Sequence, residues 1–298
     1  MTRRLAALML RAYPLAFRRR YGEELRALLD ESPLRALAVL DLLRGALAAH
    51  LHPTAALADL VDAPDRMRAS VSGQLACWVL FAAAGFAFYN TTEDDPFTAA
   101  GHAHPLLGGI HVAIQVIAIV ASAAVLLGAL PLILAALSQA RREPRLRWLV
   151  CLPPLAVSIF AGLTRALTLM AHSGPSRPSS LGGAAFLGWG LTGLACGAVC
   201  VVAARAALFA VSMPRGRLVT AFAFGTLVTV AMAVIALATA VYAIALFADA
   251  PRLAASANGP LQLVSTGVSL AVQLAVMLLA GTLAATTTRR GWRAVARG

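Results

Sequence analysis

Arg141-Arg142-Glu143-Pro144-Arg145-Leu146-Arg147 separates two long apolar runs, Gly108 to Ala140 and Trp148 to Ala171. Four arginines in seven residues do not sit in hydrocarbon, so the stretch reads as a loop between two membrane spans. Short loops rich in Lys or Arg stay on the cytoplasmic side. This loop therefore orients the two spans it joins and, by counting outward, every other span.

Composition agrees. The chain has 298 residues, 60% of them hydrophobic and 13% charged, with a mean hydropathy of +0.78. Soluble domains carry about 25% charged residues. Half that fraction, together with several apolar runs longer than ~18 residues, belongs to a helical membrane protein. The net charge of +12 comes entirely from arginine. In a soluble protein it would point to nucleic acid. Here eleven arginines lie in residues 1–68, four in the 141–147 loop, two at Arg215 and Arg217, and four from Arg289 to Arg297. That distribution is the positive-inside pattern. It predicts affinity for anionic headgroups of the bilayer and no nucleic-acid partner.

Working outward from the loop, six spans keep every arginine-rich connection on one side. The first is Ser70 to Tyr89, and the second lies within His111 to Leu137. The third, Trp148 to Ala171, has Pro153-Pro154 near its start. The fourth is Leu181 to Arg205, the fifth lies within Leu218 to Leu246, and the sixth within Leu261 to Thr287. The expected fold is an all-α polytopic membrane helix bundle of about six transmembrane helices, with both termini inside. The segments are a cytosolic amphipathic helical segment (1–68), the six-span domain (69–288) and a basic cytoplasmic tail (289–298). The Met-Thr-Arg-Arg start is not followed by a continuous apolar core, so no cleaved signal is expected.

In the N-terminal segment, Pro14 suits a first helical turn. Phe17, Tyr21, Leu25, Leu28 and Leu29 follow on one face, and Arg18 to Arg20, Glu23 and Glu24 lie on the other. Pro33 and Pro53 bound a second helix. Such a segment buries too little surface to stand alone, so its apolar faces call for a partner.

Few residues suggest chemistry. Arg165 lies in the outer half of the third span, where an isolated arginine costs about 2.5–3.5 kcal/mol on insertion scales. It is a candidate functional cation facing the bundle, or it snorkels outward over the six residues to Ala171. His102, His104, His111 and His172 fall on the outer side near Glu93, Asp94 and Asp95, a weak donor set for a divalent metal. Cys77, Cys151, Cys196 and Cys200 lie in apolar runs, outside any loop that would hold a secreted-type disulfide. Gly190, Gly193 and Gly197 include a GxxxG spacing that suits close helix packing. Gln115 and Gln273 are candidates for hydrogen bonds between helices. No Walker A loop, GxSxG elbow or HExxH motif is present. The residues point to a non-enzymatic protein without a cofactor.

The stretch Tyr13-Pro14-Leu15-Ala16-Phe17-Arg18-Arg19-Arg20-Tyr21-Gly22-Glu23-Glu24-Leu25, with Asp41 to Ala46 and His50 to Pro53, resembles a YP-x-x-[FW]-R-x-RYG-x-E-[LM] opening. That opening belongs to uncharacterised multi-pass membrane proteins of high-GC actinobacteria and also precedes some bacterial permeases of the macrolide-exporter type. The likeness covers about 45 residues well and the spans only in layout. It implies a bacterial inner-membrane protein with a regulatory or transport-associated role. Partner docking then falls to Tyr13, Pro14, Phe17, Arg20, Tyr21 and Glu24. The expected function is an accessory or regulatory component that docks a partner. The alternative is the permease subunit of an ABC-type transporter with a separate ATPase. The large extracytoplasmic domain of such permeases has no counterpart here, because every outer loop is short.

Overall fold

In a computed structural model of the chain, the described residues are 63–173, 180–257 and 264–296, with Glu23, Glu24 and Ala27 as isolated helical, exposed positions. The chain divides into two units, Met1–Asp62 and Ala63–Gly298. The second unit, as far as it is described, is entirely helical. Its helices are α1 (Ala63–Thr92), α2 (Asp95–Ala103), α3 (Pro105–Ala140), α4 (Pro144–Ser173), α5 (Ser180–Ala210), α6 (Arg215–Asp249), α7 (Pro251–Ala255) and α8 (Thr266–Ala296). Six of them, α1, α3, α4, α5, α6 and α8, are long and apolar enough to cross a membrane.

These helices follow from long stretches of Ala, Leu and Val that satisfy every backbone group internally, as hydrocarbon demands. At 36 residues α3 is about 54 Å long, well beyond the ~30 Å of bilayer hydrocarbon. Its ends therefore extend past the apolar layer or the helix tilts. Large apolar side chains on the outside, such as Leu126, Leu237 and Ile244, are about 70% exposed and are suited to lipid.

The core lies among α1, α3, α6 and α8. The broadest contacts pair α3 with α6 and α1 with α8, and α6 also touches α1 and α8. Phe81, Met232, Leu246, Leu270 and Met277 fill the centre. Close approach of α3 to α6 depends on Gly128, where an added Cβ would lie 2.7 Å from the Phe224 Cβ. The hairpin of α4 and α5 is set to the side, touching α3 through α4 and α1 through α5.

Several boundaries differ from those read in the sequence. The first helix starts at Ala63 and runs to Thr92, so residues 63–68 are its first turns and not part of a separate segment. The stretch from Asn90 to His104, expected as a loop, is helical through Thr92 and again over Asp95–Ala103. The basic tail continues α8 through Ala296. Pro153 and Pro154 lie well inside α4, whose start at Pro144 absorbs half of the arginine stretch. The two prolines leave the carbonyls of Leu149 and Val150 without their intrahelical donors. The expected outer turn around Gly174 to Pro178 lies outside the described residues.

The arginine stretch itself reduces to a tight turn. Arg147 reaches back from α4 and donates to the carbonyls of Ala140 at 2.8 Å and Arg141 at 2.6 Å. It thereby caps α3, whose last carbonyls lack helical partners and carry partial negative charge. Leu146 is buried beside Ala136, Ala140 and Val211, while Arg141, Arg142 and Arg145 are exposed. The other arginine-bearing ends gather here too. Arg68 of α1 donates to the Val211 carbonyl at 3.1 Å, and Arg215 to that of Val295 at 2.9 Å.

Candidate functional site

Between α1, α3, α4, α5 and α6 lies a cavity of about 730 Å³ in the half of the bundle nearest the arginine-rich end. That volume is within the ~300–1,000 Å³ usual for ligand pockets. Its wall is almost wholly apolar, with Trp78 of α1, Leu132 of α3, Val157 of α4 and Phe224 of α6 among its residues. The polar side chains in the wall are Ser72, Gln74 and Cys200. Leu149 and Val150, whose carbonyls are freed by Pro153-Pro154, also line it.

Gln74 ties the cavity wall to the core. Its Nε2 donates to Thr288 Oγ1 at 2.7 Å, and Thr288 in turn meets Thr229 Oγ1 at 3.1 Å. This links α1, α8 and α6 by side-chain hydrogen bonds in a dry interior. The Gln74 Oε1 is buried and has no hydrogen-bond partner. It rests against the backbone of Gly225, where an added Cβ would overlap it at 2.1 Å. Glycine at 225 is therefore what leaves room for the amide.

Arg205 stands at the cavity's edge. It is half-buried on α5, next to the lining residue Ala204 and one turn above the lining residue Leu208. Its Nη1 donates to Ser72 Oγ at 3.5 Å, and its guanidinium lies 5.5 Å from the centroid of the Phe209 ring. On the neighbouring α1, Asp65 is paired with Arg68, at 2.8 Å. Arg205 thus carries charge into a low-dielectric region without an acid facing it.

The opposite end carries a second polar cluster. Gln273 Nε2 of α8 donates to Thr91 Oγ1 of α1 at 3.0 Å and to Ser269 Oγ at 2.8 Å. His111 of α3 completes a triangle of rings with Phe88 and Tyr242, its centroid 6.0 Å from each while those two meet edge-on at 5.3 Å. Its Nε2 is 3.1 Å from Gln115 Nε2, so the ring accepts there and is protonated on Nδ1 when neutral. Tyr89 donates to Glu93, just past the end of α1.

The residues singled out in the sequence distribute as follows. Arg165 is exposed on the outer surface of α4 and not turned into the bundle. His111 belongs to a cluster of three rings with Phe88 and Tyr242, whereas His102 and His104 are at the C-terminal end of α2. No group of three or more His, Cys, Asp or Glu side chains that could hold a metal occurs among the described residues; the His172 side chain lies outside them. Gly193 packs on the Phe160 ring of α4, where a Cβ would come within 2.8 Å, and Gly197 on Val79 of α1. Gly190 has no such neighbour. The GxxxG pair thus contacts two different helices rather than one. Gln273 does bond between helices, while Gln115 bonds within its own. Glu24 is helical and exposed; Tyr13, Pro14, Phe17, Arg20 and Tyr21 lie outside the described residues.

Sequence reasoning missed the Gln74–Thr288–Thr229 network, the cavity and Arg205. A signal for Arg205 was present, since an arginine near the end of an apolar run is as anomalous as Arg165. Gln74 offered only a polar residue in the first turns of a span. Comparison with known proteins brings no relative to bear: no family model matches the chain, and neither a curated protein nor a solved structure matches it significantly.

Proposed function

We propose that this chain is a non-enzymatic accessory or regulatory component of a bacterial inner membrane, with both termini cytoplasmic, whose N-terminal helices dock a protein partner. The observation that supports this most directly is the division of the chain at Asp62/Ala63. Residues 1–62 form a unit of their own, and a unit of that size is marginal in the surface it can bury. An amphipathic surface of that kind acquires its missing burial from a partner. Tyr13, Phe17 and Tyr21 supply the aromatic anchors, and Arg20 and Glu24 the polar rim.

The cavity favours a second reading, the permease subunit of an ABC-type exporter. An apolar chamber in one half of a six-helix bundle suits a lipophilic cargo, and a separate ATPase would dock on the same N-terminal helices. One experiment separates the two. A photo-crosslinking residue is placed at Phe17 or Tyr21 in the full-length chain, in native membranes, with Leu237 on the lipid-facing surface as control. A single protein adduct specific to the N-terminal positions is expected. An ATPase in that adduct selects the permease reading, and any other protein selects the accessory reading. Lipid adducts alone at both N-terminal positions would sink partner docking.

A further inference from the structure

We propose that the cavity holds an acyl chain of an anionic phospholipid from the leaflet at the arginine-rich end, with the lipid phosphate held by Arg205. The proposal does not depend on the partner-docking reading.

Shape is the first argument. Lining residues on α3 run from Ala124 to Leu137, about 20 Å along the helix at 1.5 Å per residue. One leaflet contributes ~15 Å of hydrocarbon. The chamber thus runs along one leaflet's depth, from Met213 and Leu137 near the arginine-rich end to Trp78 and Val228 near the middle. Its wall offers an alkyl chain apolar contact from five helices, and the exposed rim residues Leu126, Ile133, Leu137 and Val157 leave it open toward lipid.

Charge is the second argument. A guanidinium has five N–H donors and favours paired contacts with phosphate oxygens. Arg205 makes one bond, at the long limit of 3.5 Å, to Ser72, a residue of the cavity wall. Arg68, one helical turn from Ser72 on α1, is already matched by Asp65 and by the Val211 carbonyl. The unmatched positive charge at the chamber's edge is therefore that of Arg205. A neutral lipid would fill the chamber and leave this charge without a counter-ion. A soluble anion would meet the charge and leave an apolar chamber empty. An anionic phospholipid does both.

The test uses the full-length protein in nanodiscs with two photoactivatable probes of identical chains, a phosphatidylglycerol and a diacylglycerol. Phosphatidylglycerol is expected to label peptides containing residues 124–137 and 200–208. Arg205→Gln should lower that labelling about tenfold, the loss of one charge-assisted contact, while Arg205→Lys keeps much of it. Diacylglycerol labelling should be weaker and indifferent to both changes. Ala129→Phe, which fills the chamber and leaves Arg205 in place, should lower labelling by either probe. Size-exclusion profiles check that each variant folds. Should Arg205→Gln fail that check, the two-probe comparison on the unaltered protein and Ala129→Phe still decide. Equal labelling by the two probes, labels confined to other helices, or competition by inorganic phosphate alone would each overturn the proposal.

Discussion

The four helices α1, α3, α6 and α8 and the α4–α5 hairpin are built from the same amino acids and are held in different ways. In the span windows of α1, α6 and α8, 33–39% of residues are buried; in those of α4 and α5, 11% and 17% are, and α3, also at 17%, joins the core by the one face it packs on α6. The core adds polar links between helices, Gln74 to Thr288 and Gln273 to Thr91. The hairpin has its own link, Trp189 Nε1 to Thr164 Oγ1 at 2.8 Å, and a stack of Trp189 on Phe160 at 5.5 Å. It is a satellite on the core, and the cavity lies at the seam between them. Hydropathy makes both regions equally membrane-like. α1, α6 and α8 bury more of their side chains than the hairpin does, so a change of equal size should be felt unequally.

The largest effect is expected at Gly128. Gly128→Val would set a side chain against the Phe224 Cβ, an atom fixed to the α6 backbone. The helices must separate, and a loss of about 3 kcal/mol is expected, the upper end for overpacking. Reversible unfolding in mixed detergent micelles would measure it. Gly193→Val makes the matching change in the hairpin. There the obstacle is the far edge of the Phe160 ring, which can swing toward lipid, so a loss below ~1 kcal/mol is expected. Equal losses at the two glycines would break the contrast between core and satellite.

Thr288→Val comes next. It leaves both polar atoms of the Gln74 amide unpartnered in a dry interior, for a loss of about 1–2 kcal/mol. A double-mutant cycle with Gln74→Leu should give a coupling of roughly 0.6–1.7 kcal/mol, the range for hydrogen bonds between membrane helices. A coupling of zero would remove the network from the account of the core. Arg165→Gln should be the mildest change, within ~0.5 kcal/mol, because the side chain is exposed on the satellite. A large loss of stability or of any cellular phenotype would restore Arg165 as a functional cation.

What was legible in the sequence follows a simple physical division. Six long apolar helices were legible because long apolar runs carry their transfer free energies residue by residue. Boundaries were less legible. Pro153-Pro154 were read near the start of a span beginning at Trp148, yet α4 begins at Pro144, which places them well inside the helix. The candidate residues were less legible still. Arg165, the GxxxG glycines and the four cysteines drew notice as anomalies, and most fall on the satellite hairpin. Gln74, Thr288 and Arg205 became significant only through residues more than a hundred positions away.

The sequence by itself therefore determined that this chain is helical, that six of its helices can cross a bilayer, and that its arginines mark one end of them. Each follows from the preference of single residues for water or hydrocarbon. The tertiary structure decided which helices form the core, why Gly128 and Gly225 must be glycine, and where Arg205 meets an apolar chamber. Helices apolar on every side carry no facial signal, so their partners are chosen by the fit of individual atoms. That fit comes into being only when distant turns are brought together.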